Sequence, residues 1–230
     1  MSVAQKTSYW QELGVGFRYV LRWPGLLGII LLAMMLNFLL SPTSALTPLV
    51  VTSVFQECAA ELGWIEALFG AGIIVAGVIL SAWGGFKRRI VTSLSGVIGV
   101  GLGVILFGLA PANMFSLLLF AGFLQGFALV FANGPLQAVL QTAIAPEVQG
   151  RVFSLLGAGA AAMMPLGLLI AGPIADWLGV QFWYIIGGSI CILTTIVAGF
   201  IPAIMNIEQN RVSAEDTLGN RAQAGGTLTN

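Results

Sequence analysis

Residues 65–110 read IEALFGAGIIVAGVILSAWGGFKRRIVTSLSGVIGVGLGVILFGLA. Two apolar runs, Ile65 to Phe86 and Ile90 to Ala110, flank the short basic turn Lys87-Arg88-Arg89. Glu66, at the very edge of the first run, is the only charge within either one. A helix crosses the hydrocarbon layer with about 20 residues, and each run supplies that length. Three consecutive basic residues cannot lie in lipid, so the turn stays in water while both runs cross the bilayer.

Extending outward from this pair gives further runs of the same kind. Trp23 to Gln56 carries no charge, and Met114 to Ile144 follows the Pro111-Ala112-Asn113 break. Val152 to Ala175 ends at Asp176-Trp177-Leu178-Gly179, and Val180 to Ile207 makes the sixth. The whole composition agrees: 58% of the 230 residues are hydrophobic and 8% charged, with a mean hydropathy of +0.97. A water-soluble domain devotes about a quarter of its residues to charge, so lipid must solvate much of this chain. The expected fold is an all-α membrane protein with about six transmembrane helices.

Basic residues set the orientation, because they are retained on the cytoplasmic side. Lys6, Arg18 and Arg22 precede the first span, and Lys87, Arg88 and Arg89 lie between the second and third. Arg151 lies between the fourth and fifth, and Arg211 and Arg221 follow the sixth. These are all nine Lys and Arg residues, and six spans put every one on the same side. Five or seven spans would divide them. The other side receives only Glu57, Glu61, the edge residue Glu66 and Asp176. The expected location is the cell (inner) membrane, multi-pass, with both termini cytoplasmic.

The organisation then has three parts. Residues 1–22 form a cytoplasmic lead-in, in which Trp10, Leu13, Phe17, Val20 and Leu21 recur at helical spacing as in an amphipathic surface helix. Residues 23–207 form the six-helix bundle. Residues 208–230 turn polar and rich in Gly, Asn and Thr, the composition of a disordered tail. Leu26 to Leu40 after basic residues resembles a signal peptide, but the preceding segment is long and apolar sequence continues past Ala45, so a retained span is expected.

Polar residues inside the spans avoid lipid. Asn37, Ser41 and Ser44 share one face of the first helix, and Asn133, Gln137 and Gln141 share one face of the fourth, with Gln125 beside it. They serve either as hydrogen-bond glue between helices or as the wall of a cavity that holds a solute. Glycine pairs Gly99/Gly103 and Gly122/Gly126, and the small-residue run Gly157 to Ala162, allow close helix packing or sliding. Pro42, Pro48, Pro135 and Pro165 are expected to break or kink their helices.

Glu66 has two readings. It lies in the outer headgroup layer beside Trp64, or it is a coupling group, since a carboxylate entering a low-dielectric site favours its protonated form and can carry a proton. Cys58 and Cys191 fall in a loop and a span, which places them too far apart for a disulfide. Histidine is absent, which removes His-based metal sites and Ser-His or Cys-His nucleophile pairs. No Walker A sequence or GxGxxG opening a soluble nucleotide fold occurs, and the zero net charge argues against nucleic acid. Neither an enzyme nor a cofactor or metal site is expected.

Five stretches resemble the major facilitator superfamily. Ser81 to Arg89 is similar to its Gly-rich basic cytoplasmic loop, without the usual aspartate, and Pro146 to Ser154 looks like the hinge before helix eleven of drug-efflux members. Pro165-Leu166-Gly167 and Ala171 to Gly179 continue that likeness, and Trp10 to Gly25 resembles the end of the central loop before helix seven. The likeness is greatest to the macrolide-efflux and siderophore-exporter branch, and it covers the C-terminal six-helix half of a twelve-helix fold. It implies two inverted three-helix repeats, with the first and fourth helices lining a cavity and the third and sixth as lipid-facing supports. It further implies alternating access, with a small amphipathic or lipophilic solute, the lipid bilayer, and a second six-helix half or a homodimer as partners. Gly84, Gly85, Lys87, Arg88, Arg89 and Asp176 are then gating-loop candidates. A non-transporting membrane subunit or truncated remnant, serving only assembly, is the alternative.

Overall fold

The computed structural model describes residues 17, 19–21, 23–53 and 59–207. Lys6, Arg18, Arg22, Glu57, Cys58, Arg211, Arg221 and the expected tail lie outside them, as does most of the lead-in. Phe17 and Tyr19 to Leu21 are helical, and Val20 is buried against the bundle. The helices are α1 Pro24–Ser53, α2 Ala59–Trp83, α3 Arg89–Leu109, α4 Phe115–Ala143, α5 Pro146–Leu178, α6 Val180–Gly199 and the short α7 Pro202–Met205. Six of them, α1 to α6, are long and apolar enough to span a membrane. The fold is therefore an all-α membrane bundle, as the charge-free runs require.

The ends differ from expectation in three places. Helix α2 begins at Ala59, well before Ile65, so Glu61 belongs to the helix and not to a loop. Helix α5 begins at Pro146, where a proline suits the first turn because its missing N–H is unneeded there. Helix α6 stops at Gly199, since Pro202 cannot extend the ladder and instead starts α7. The internal prolines, by contrast, break nothing: α1 continues through Pro42 and Pro48, α4 through Pro135, and α5 through Pro165 and Pro173. Pro42 and Pro135 are buried among neighbouring helices, whereas Pro48, Pro165 and Pro173 are exposed. Pro42 cannot donate to the Phe38 carbonyl, and Gly167 of α5 packs directly against that carbonyl.

The packing order shows the inverted repeat. Strong contacts run α2 to α4, α4 to α3, α3 to α6, α6 to α1, and α1 to α5. Exchanging α1 with α4, α2 with α5 and α3 with α6 turns this path into its own reverse. Two three-helix units related in that way share the α3–α6 contact at their centre. Glycine makes the contacts close: Gly126 of α4 abuts the Phe69 carbonyl of α2, Gly96 of α3 abuts the backbone at Ala132 of α4, and Gly101 and Gly188 join α3 to α6.

Glycine on two faces of α3 also corrects its expected role as a lipid-facing support. Gly96, Gly99 and Gly103 meet α4 while Gly101 and Gly108 meet α6. As a result 61% of its apolar window is buried, against 6% for α5. The Gly157 to Ala162 run of α5 behaves oppositely. A Cβ at Gly157 would meet nothing within 4 Å, and one at Gly159 would meet only the flexible Met34 side chain.

Apolar side chains fill the bundle in two main clusters. One, around Leu26, Ile90, Leu140 and Ile204, occupies the end where α1, α3 and α5 begin. The other, around Val50, Val104, Phe107 and Tyr184, occupies the opposite end. The described basic residues all gather at one end. Lys87, Arg88, Arg89 and Arg151 lie at the first end, and Glu61, Glu66 and Asp176 toward the second.

Candidate functional site

Helices α1, α3 and α4 line an open-sided cavity of about 320 Å³, with Ile204 of α7 at one end. Its polar residues are Asn37, Ser41 and Ser44 from α1, Ser93 from α3 and Asn133 from α4. Leu36, Leu40, Leu94, Val97, Leu129 and Leu136 make most of the remainder, and no charged residue lines it. A neutral, mostly apolar space with a few convergent polar groups has the character of a small-molecule site.

The two asparagines are held alike. Asn37 Nδ2 donates to the Ala33 carbonyl at 2.8 Å, and Asn133 Nδ2 donates to the Leu129 carbonyl at 3.1 Å. Each amide is thus tied to the preceding turn of its own helix, and its side-chain oxygen stays available as an acceptor. Ser93 is different. It is 2% exposed and donates to the Ala132 carbonyl of α4 at 2.5 Å, so it fastens two helices together.

A second cavity, of about 170 Å³, adjoins the first at Ser44 and reaches toward the acidic end. Thr47 of α1, Glu66 of α2 and Gln125 of α4 line it together with Ile65, Phe69 and Phe107. Gln125 is positioned by the close α3–α4 contact, where its Cγ packs against Gly103. Thr47 belongs to a small network. Its hydroxyl donates to the Thr43 carbonyl at 2.9 Å and lies 3.2 Å from the hydroxyl of Tyr184, which also donates to the Thr43 carbonyl.

The structure therefore divides the candidates found in the sequence. Asn37, Ser41, Ser44 and Asn133 come together, and Gln125 joins Glu66 in the neighbouring space. Gln137 and Gln141 line neither cavity. Both are exposed further along α4, where the Gln141 carbonyl accepts from Gln149 Nε2 at 2.8 Å. Ser93, Thr47 and Tyr184 escaped the sequence reading. A tyrosine at membrane depth needs a hydroxyl partner, and Thr43 and Thr47 stand one turn apart beside the serine stripe, so that pairing had a signal. Ser93 had none, because its function depends on how closely α3 approaches α4.

The gating-loop candidates occupy opposite ends. Gly84 and Gly85, with φ of 76° and 82°, end α2 and turn the chain into α3. The Phe86 amide donates to Thr92 Oγ1 at 2.8 Å and fixes the turn. Lys87, Arg88 and Arg89 project from it, exposed. Asp176 is exposed in the last turn of α5, across the full depth of the bundle, so it cannot pair with these bases.

Comparison with known proteins bears on this architecture. The family model described as Major Facilitator Superfamily matches residues 25–217. The chain is 28% identical over 198 residues to macrolide efflux protein A of Streptococcus pyogenes, covering 86% of this chain and 49% of that protein. It is 27% identical over 202 residues to the uncharacterized MFS-type transporter YfiS of Bacillus subtilis, covering 84% and 47%. Over 150 residues it is 29% identical to the multidrug efflux pump Tap of Mycolicibacterium fortuitum, covering 64% and 36%. The chain spans about half the length of the curated relatives it matches. No solved structure matches it.

Proposed function

We propose, from the premise that the chain belongs to the Major Facilitator Superfamily, that it is one six-helix half of a secondary transporter exporting small amphipathic or lipophilic solutes by alternating access. The observation that carries this reading is the larger cavity. Amides and hydroxyls from α1 and α4 line an otherwise apolar space of about 320 Å³, and Ser44 and Asn133 on its wall remain exposed. Polar groups at that depth need water, solute or another protein surface, because lipid cannot satisfy them. A second six-helix half, or a second copy of this chain, supplies the opposite wall. The names of the macrolide and multidrug relatives fit an uncharged, lipophilic cargo. The work done on the solute is translocation and not chemistry.

In this reading the bundle sits in the cell (inner) membrane with the basic end, Lys87 to Arg89 and Arg151, in the cytoplasm. Residues 1–22 lie on that surface and 208–230 extend from it. The basic turn with Gly84 and Gly85 is the inner half of a gate, Asp176 serves at the outer end, and Glu66 is the carboxylate assigned to energy coupling. Everted vesicles carrying the assembled transporter provide the test, with a macrolide as cargo. Replacing Asn37 and Asn133 by Leu removes two hydrogen-bond acceptors worth about 1 kcal/mol each, so uptake at limiting macrolide falls about thirty-fold. Unchanged uptake refutes the cavity assignment. The alternative, an assembly subunit that transports nothing, draws support from the open glycines Gly63, Gly70 and Gly77 on α2, and it requires that wild-type vesicles accumulate no cargo.

A further inference from the structure

The smaller cavity has a chemistry that the larger one lacks. Its lining brings a carboxylate (Glu66), a carboxamide (Gln125) and two hydroxyls (Ser44, Thr47) around a space of about 170 Å³. None of the lining residues is basic, and among the described residues Glu66 has no ion-pair partner and Gln125 no hydrogen bond. Thr47 spends its hydrogen on the Thr43 carbonyl, which leaves the oxygen lone pairs free to accept. Ser44 brings a backbone oxygen as well, because Pro48 has no N–H to donate to its carbonyl.

Glu66 is exposed at the rim of the bilayer, and Gln125, Ser44 and Thr47 beside it each present an oxygen that a cation can take. The donor set is all oxygen, with no thiolate or imidazole, which selects a hard cation. It contains a single carboxylate, whereas calcium sites gather several, so the matching charge is one. We infer that this cavity is a seat for a monovalent alkali cation of the sodium class, held by Glu66, Gln125, Ser44, Thr47 and water. Ser44 lines both cavities, so cation and solute share a wall, and occupancy of one changes the other. The seat stands on its own donors; only its coupling to export rests on the transport reading above. Glu66 is the only acid in the lining.

The test is equilibrium binding of radioactive sodium to the purified full chain in detergent, at fixed pH and with N-methylglucamine holding the ionic strength. The expected result is saturable binding, displaced by unlabelled sodium and not by N-methylglucamine. Glu66→Gln should weaken it about ten-fold or more, through loss of the charged ligand, and Gln125→Leu should weaken it measurably. Gly157→Ala, which meets open space on α5 and lines neither cavity, should leave it unchanged. Glu66→Asp, which keeps the charge, should retain saturable binding and so separates loss of a ligand from loss of the fold. Absence of saturable binding by the wild-type chain overturns the inference, as does binding that Glu66→Gln and Gln125→Leu leave untouched. Sodium binding without macrolide export removes the transport reading and keeps the seat; export without sodium binding does the reverse.

Discussion

Replacing Gly126 by Ala tests whether helix packing in this bundle depends on backbone contact. A Cβ built on Gly126 falls against the Phe69 carbonyl and within 2.8 Å of the carbonyl carbon. Both are backbone atoms of α2, so no side chain can swing aside. Helix α2 must move away from α4 and lose contact along a large part of their shared length. Overpacking of this kind costs about 1–3 kcal/mol. The same substitution at Gly70 of α2 meets nothing within 4 Å and gains the helix preference of Ala over Gly, about 0.5–1 kcal/mol in water. Gly122 lies between these limits, with Ile65 Cγ2 and the Ile65 carbonyl oxygen each at 3.3 Å, so a shift of a few tenths of an ångström accommodates Ala. The expected order of stability is therefore Gly70→Ala above wild type, Gly122→Ala close to it, and Gly126→Ala well below. The extremes should differ by about 2 kcal/mol, which for a chain of this size is about 4–8 °C in the melting temperature. Thermal unfolding in mild detergent, followed by fluorescence or by loss of the monodisperse gel-filtration peak, measures it. If Gly126→Ala melts at or above Gly70→Ala, the α2–α4 contact is not the backbone-to-backbone approach described here.

Three other outcomes are open to measurement. Tyr184→Phe removes the donor to the Thr43 carbonyl and the contact with Thr47, and should lower stability by about 1 kcal/mol, the scale of buried hydrogen bonds between membrane helices. Equal melting temperatures would mean that the network is incidental. Gly85→Val meets both a φ of 82° and Thr92 Oγ1 at 2.9 Å, so it should cost about 1–3 kcal/mol, while Gly84→Ala, with open space around it, should suffer only the backbone penalty. Calorimetry or denaturant titration of the pair decides this, and similar losses at both sites would discount the Thr92 contact. Replacing Lys87, Arg88 and Arg89 together by Gln should produce a mixed orientation of the adjoining spans, read by labelling single cysteines from each side of the membrane; a uniform orientation would show that other residues hold the topology.

Much of the fold could be read along the chain because the bilayer imposes a one-dimensional rule. Each crossing needs about 20 apolar residues, and each basic cluster must stay on one side, so spans and their alternation follow from local sequence. The helix ends drifted where that rule is silent. Helix α2 takes in Glu61 because a helix may extend past the hydrocarbon, and the internal prolines leave α1, α4 and α5 continuous.

Which polar residues meet was settled only in three dimensions. Asn37, Ser41, Ser44 and Asn133 were visible as stripes at helical spacing, and the close packing of α1, α3 and α4 joined them around one cavity. The same reasoning grouped Gln125, Gln137 and Gln141 with Asn133. Yet rotation of α4 against α2 turns Gln125 toward Glu66, and the length of α4 carries Gln137 and Gln141 beyond both cavities. The sequence by itself determined the number of crossings, the segregation of charge and the faces on which polar residues lie, since each depends on residues near one another along the chain. The tertiary structure alone decided that α3 is enclosed, that Gly126 and not Gly70 is pressed against backbone, and that Glu66 shares a cavity with Gln125. Those facts depend on the distance and rotation between helices, which backbone-to-backbone contact fixes across dozens of intervening residues.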